Sequence, residues 1–142
     1  MIYFDTSALV PLVVPERASP MVHAWLAERL DEVLAVSEWT VTEFASALGA
    51  RARIGTLTSA QANSAWARFR AEVVARCAVL TPAAPDFARA ADLSLRFELG
   101  LRAGDALHVA IAVGAGAATL VTLDRAMAAA AGRLGLRCAC PA

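Results

Sequence analysis

Short apolar runs alternate along the chain with longer stretches of helical character. Ile2–Phe4, Val33–Val36, Cys77–Leu80, Thr119–Thr122 and Arg137–Cys140 are short runs of the kind that form strands. Between them, helices are predicted over Ala18–Leu30, Thr40–Arg53, Ser59–Val74, Asp86–Glu98, Asp105–Val113 and Arg125–Leu134. Strands alternating with helices imply right-handed crossovers and a parallel sheet covered on both faces, a three-layer α/β/α fold with about five strands. Two of the helices flank Gly55 and form an added helical hairpin between the second and third strands. Gly55 stands where a helix stop belongs, and Thr58 is placed to cap the next helix.

The segment Ala106–Leu123 carries no charged side chain. Gly114 and Gly116 interrupt it, His108 lies inside it, and Asp flanks both ends. A buried helix, a turn and a buried strand account for it better than a membrane span. Residues 1–142 suit one domain, and 58% hydrophobic against 18% charged residues excludes a disordered chain. The N-terminal residues lack a basic region and meet Asp5 at once, unlike a signal peptide. Cys77, Cys138 and Cys140 match neither a disulfide framework nor zinc spacing, so buried reduced thiols in a soluble cytoplasmic protein are expected.

The net charge is zero, which by itself does not advertise a nucleic-acid partner. The distribution says more. There is no lysine, and Arg51, Arg53, Arg68, Arg70 and Arg76 stand against the single acid Glu72 between Phe44 and Arg76. Two readings are open: a solvated helix face, or a phosphate-binding patch exploiting the guanidinium fork.

Ligands of open parallel sheets bind beyond the carboxyl ends of the strands. Asp5 follows the first strand, Asp124 follows the fourth, and Asp105 opens a helix after Gly104. Each position is also one where Asp caps a helix, so capping competes with chemistry at all three. Glu43 is different. It is the only charge from Trp39 to Ala50, and that helix is apolar on both sides. A lone carboxylate there is costly unless something compensates it. Should the four acids cluster, their repulsion calls for a cation, and oxygen donors suit Mg²⁺ or Mn²⁺. Thr6, Ser7 and Thr122 are placed either to orient carboxylates or waters or to make local turn bonds.

Four segments, taken in order, carry a family resemblance. Ile2-Tyr-Phe-Asp5-Thr-Ser-Ala8 resembles the opening strand and first acid of PIN domains. Ser37-Glu-Trp-Thr-Val-Thr-Glu43-Phe44 resembles the segment with their helix glutamate, and Leu101-Arg-Ala-Gly-Asp105-Ala-Leu-His108-Val-Ala-Ile-Ala112 the helix of their third acid. Leu120-Val-Thr-Leu-Asp124 resembles the fourth. The likeness spans essentially the whole chain, and its size and hairpin are most similar to the VapC toxins of toxin–antitoxin pairs. This resemblance implies a Mg²⁺- or Mn²⁺-dependent endoribonuclease with Asp5, Glu43, Asp105 and Asp124 as catalytic metal ligands. It also implies an RNA substrate, a small antitoxin partner and a homodimer. Arg51, Arg53, Arg68 and Arg70 are then candidates to hold the RNA backbone. Met21, Trp25, Trp66 and Phe69 are candidates for partner contacts, with core packing as the competing role. His108 is expected as a core or hydrogen-bonding histidine.

Rival acid-site families fail on missing residues. A haloacid-dehalogenase-type phosphatase needs an acid where Ser7 stands, and a receiver domain or a P-loop needs a lysine. A non-catalytic PIN module binding RNA or protein, and a DNA-directed nuclease, remain as alternatives.

Overall fold

A computed structural model describes residues 1–142. Five parallel strands, β1 (Ile2–Phe4), β2 (Leu34–Ser37), β3 (Ala78–Leu80), β4 (Thr119–Val121) and β5 (Cys138–Ala139), lie in the order β3-β2-β1-β4-β5. The sheet therefore grows outward in both directions from β1, whose Tyr3 pairs with Ala35 on one side and Leu120 on the other. The carboxyl ends of the three central strands share one edge, and the chain reverses there between β1 and β4.

Alternation along β1 builds the two cores. Tyr3 faces a layer formed by α5 (Ala84–Leu95), α6 (Ala103–Gly114) and α7 (Arg125–Arg133). Ile2 and Phe4 face the opposite layer, formed by α1 (Thr6–Val13), α2 (Ser19–Ala27), α3 (Glu38–Arg53) and α4 (Ser59–Arg68). The α/β/α arrangement is thus the one the pattern implies. The hairpin α3–α4 is also present. Gly55 turns it at φ +81°, and Thr58 caps α4 in a reciprocal box with Gln61.

Several expectations need correction. Helix α1 was not predicted, because Thr6–Val13 is apolar nearly throughout and contains Pro11, so it lacks an amphipathic period. Its residues from Ala8 to Val13 are all buried, which is how a helix without a polar face survives. Helix α3 begins earlier than expected, because Ser37 and Thr40 form its capping box. The expected helix to Val74 changes after Arg68 into a π-helical turn, Phe69–Val73, and a 3-10 turn, Val74–Arg76. Helix α5 stops at Leu95, and Phe97–Leu99 is a separate 3-10 turn. Phe69 is fully buried and stacks on Phe44 with ring centroids 3.7 Å apart, so it belongs to the core and not to a partner surface. Trp25 is half-buried with its ring edge against Phe4, whereas Met21 is exposed. The three cysteines are free, but none is fully buried and Cys140 is exposed. No helix is long and apolar enough to cross a membrane.

Candidate active site

The four acids come together. Asp5, Glu43, Asp105 and Asp124 all line one open cavity of about 550 Å³, with Thr6, Ser7, Glu16 and Arg51 among the other residues of its wall. Its position beyond the carboxyl ends of β1 and β4 follows from the topology.

Asp5 is only 3% exposed and faces three donors. Ser7 Oγ lies 2.8 and 2.9 Å from its two carboxylate oxygens, Thr122 Oγ1 donates at 2.9 Å, and the Ala8 amide donates at 3.2 Å. Capping and site membership are therefore both true of Asp5: it starts α1 and borders the cavity. Burial drives its carboxyl above the usual range, opposed by the charge of His108 and by the bonds from Ser7, Thr122 and Ala8. Ser7 also accepts from the Leu123 amide and Thr122 from the Asp124 amide, so these hydroxyls tie the β1 and β4 loops together.

Glu43 projects from α3 toward the same cavity. Its Oε2 accepts from Thr6 Oγ1 at 2.7 Å and lies 2.5 Å from His108 Nε2. Burial raises its pKa, but the hydrogen bond and charge of His108, with the bond from Thr6, outweigh that and leave it below the usual value. Behind it, His108 is 1% exposed, and its Nδ1 lies 2.9 Å from the Tyr3 hydroxyl. Burial pushes the Tyr3 phenol up to about 12, so it stays protonated at neutral pH. His108 is thus the hydrogen-bonding histidine expected, and its partner is the glutamate of the site.

The other two acids are less supported. Asp105 is not the cap of α6; that position is Arg102, and Asp105 sits in the first turn. Burial, the repulsion of Asp124 and that of Glu43 lift its carboxyl above the usual range. Asp124 caps α7 through Oδ1, which accepts from the Ala126 and Met127 amides at 2.7 and 2.9 Å.

The arginines do not act as one group. Only Arg51 of the four candidates lines the acidic cavity, where it pairs with Glu16 at 2.5 Å. Arg68 bonds the Val13 carbonyl and Glu72, Arg70 lies over the Trp66 ring at 5.9 Å, and Arg53 is exposed. Glu16, Tyr3 and Gly104 were missed as site residues. Nothing local marks Glu16, since its pairing spans 35 positions.

The donor set is all oxygen, which suits a hard divalent cation. No three carboxylate, imidazole or thiol groups converge closely enough to cage an ion by themselves. Mg²⁺ commonly keeps several waters and takes only one or two carboxylates plus substrate phosphates. The mutual repulsion at Asp105 is the kind of imbalance such a charge relieves.

A family model described as PIN domain matches residues 2–133. No curated protein sequence matches the chain. Among solved structures, FitAcB from Neisseria gonorrhoeae superposes with a TM-score of 0.76 at 22% identity, over 99% of this chain and 98% of that one. VapC20 of Mycobacterium tuberculosis, described as a sarcin-ricin loop cleaving toxin, gives 0.73 at 20% identity over 92% and 95%. PAE2754 from Pyrobaculum aerophilum gives 0.64 at 28% identity over 91% and 84%.

Proposed function

Because this chain belongs to the PIN domain family, we propose that it is a metal-dependent endoribonuclease and the toxin of a toxin–antitoxin pair. Residues 1–142 form its single nuclease domain. The observation that carries the reading is the convergence of Asp5, Glu43, Asp105 and Asp124 on one cavity. The VapC20 likeness supports RNA as the substrate and a toxin role.

In this reading Asp5 and Asp105 hold Mg²⁺ or Mn²⁺, with Glu43 and Asp124 beside them. When bound, the ion supplies positive charge opposite the phosphate and lowers the pKa of an attacking water. The residues themselves contribute orientation. Ser7, Thr122 and the Ala8 amide fix the Asp5 carboxylate, while Thr6 and His108 fix that of Glu43. Held this way, neither side chain must reorganise as substrate arrives, which is the source of electrostatic preorganisation. Arg51 stands at the cavity wall as the one candidate arginine able to reach a phosphate there. A homodimer and a small antitoxin complete the assembly.

Purified protein incubated with single-stranded RNA tests this. Cleavage should require Mg²⁺ or Mn²⁺, stop with EDTA, and leave 5′-phosphate ends. Absence of metal-dependent cleavage over a broad panel of RNAs would remove the enzyme and favour a non-catalytic binding module. Co-expression with the neighbouring gene product should yield a complex with suppressed activity, and light scattering should report a dimer.

A further inference from the structure

We propose that Tyr3 and His108 are positioning residues for Glu43, forming a buried hydrogen-bond chain that sets where its carboxylate meets the cavity. The inference rests on the nuclease reading only in taking Glu43 as part of the working site.

Hydrogen-bond capacity fixes the proton at the Glu43 end of the chain. An ionised Glu43 only accepts, so the contact at 2.5 Å requires a proton on His108 Nε2. On the other side of the ring, Nδ1 lies 2.9 Å from the Tyr3 hydroxyl, which can donate to a bare nitrogen or accept from a protonated one. The Tyr3 hydroxyl also bonds the hydroxyls of Ser37 and Thr40, 2.8 and 3.2 Å away. Those two residues form the capping box of α3, the helix that carries Glu43. The chain leaves α3 at its cap, crosses β1 at Tyr3 and α6 at His108, and returns to α3 at Glu43. It thereby joins the three elements that present Asp5, Glu43 and Asp105.

The opposite side of the carboxylate is set by an absence of atoms. A Cβ at Gly104 would lie 2.9 Å from Glu43 Oε1 and 3.2 Å from the Trp39 ring. The end of a glutamate ordinarily swings aside, but here Oε2 is held by His108 and Thr6. Fully buried Tyr3 and His108 cannot be explained by packing alone, since a phenylalanine and a leucine would fill similar space without polar atoms to satisfy.

Nitrogen-15 NMR of the metal-free protein at neutral pH reads the chain directly. His108 should carry a proton on Nε2, and Tyr3→Phe should shift the Nδ1 resonance while the Nε2 proton stays in place and the melting transition stays cooperative. In calorimetric titration with Mn²⁺, Tyr3→Phe and His108→Ala should weaken binding, or lower kcat on RNA at unchanged KM, by about ten- to a hundredfold. His108→Gln, which keeps a donor for Glu43, should recover part of that loss. A bare Nε2 in the native protein would overturn the proposal. So would Mn²⁺ affinity and kcat that Tyr3→Phe leaves within twofold of native. Native protein that binds Mn²⁺ and keeps the Nε2 proton but cleaves nothing would sink the nuclease reading alone.

Discussion

The two halves of the acidic cavity are built on different principles. On one side, Asp5 and Glu43 rest in cradles of donors supplied by Ser7, Thr122, Thr6, His108 and a backbone amide. On the other, Asp105 is pressed by the charges of Asp124 and Glu43, and Asp124 spends one oxygen on the cap of α7. The cradled side is preorganised by the protein. On the repelling side, burial first and then like charge disfavour the ionised Asp105, and a cation would offset the repulsion. The same residue type thus has opposite energetic meaning on the two sides: one carboxylate is part of the architecture, the other stores repulsion.

Activity tests both halves at once and carries the largest effect. Asp5→Asn and Asp105→Asn should each lower kcat on RNA by about 10²–10³-fold, the range for losing one preorganised electrostatic contact. Full activity of either variant in nuclease-free preparations would break the site assignment. Gly104→Ala sharpens the seat of Glu43. Gly104 stands in the first turn of α6, and an alanine methyl there must displace the Glu43 carboxylate. Activity should fall about tenfold; unchanged activity would show that the carboxylate has slack.

Stability separates the halves. Asp5→Ala removes a helix cap and strands the hydroxyls of Ser7 and Thr122, at a cost of about 1–2 kcal/mol in thermal or urea unfolding. Asp105→Asn should do the reverse and raise the Tm of the metal-free protein, since it removes repulsion. A fall in its Tm would mean that the two sides are alike.

The pH dependence cuts across the two halves. Asp5 and Asp105 hold protons more tightly folded than unfolded, so their contribution is present below about pH 3.9 and is lost as pH rises through their folded values. Glu43 runs the other way, stabilising above about pH 4.3 and losing this as pH falls through its lower folded value. Added Mg²⁺ should therefore raise Tm more at pH 7–8 than at pH 4, and a pH-independent gain would contradict the repulsion. The smallest effects concern arginines. Arg51→Ala should flatten the salt dependence of RNA binding, whereas Arg53→Ala and Arg70→Ala should leave the slope as it was.

Much of this molecule could be read from residue order alone. The sheet, its parallel strands and the hairpin at Gly55 follow from local periodicity and turn chemistry, which act over a few neighbouring residues. The four acids could be placed at strand ends and a helix start for the same reason. Helix α1 could not be read, because a segment buried on every side carries no polar face to reveal its period. Nor could the chain indicate that Asp5 would be both cap and cavity wall, since those roles differ only in what lies across from it. The pairing of Arg51 with Glu16, the bond from His108 to Glu43 and the seat at Gly104 join residues 35, 65 and 61 positions apart in sequence. Hydrogen bonds and steric contacts act over a few ångströms of space. The packing of α3 and α6 around β1 brought His108 and Gly104 to Glu43, and the approach of the α1–α2 loop to α3 brought Glu16 to Arg51.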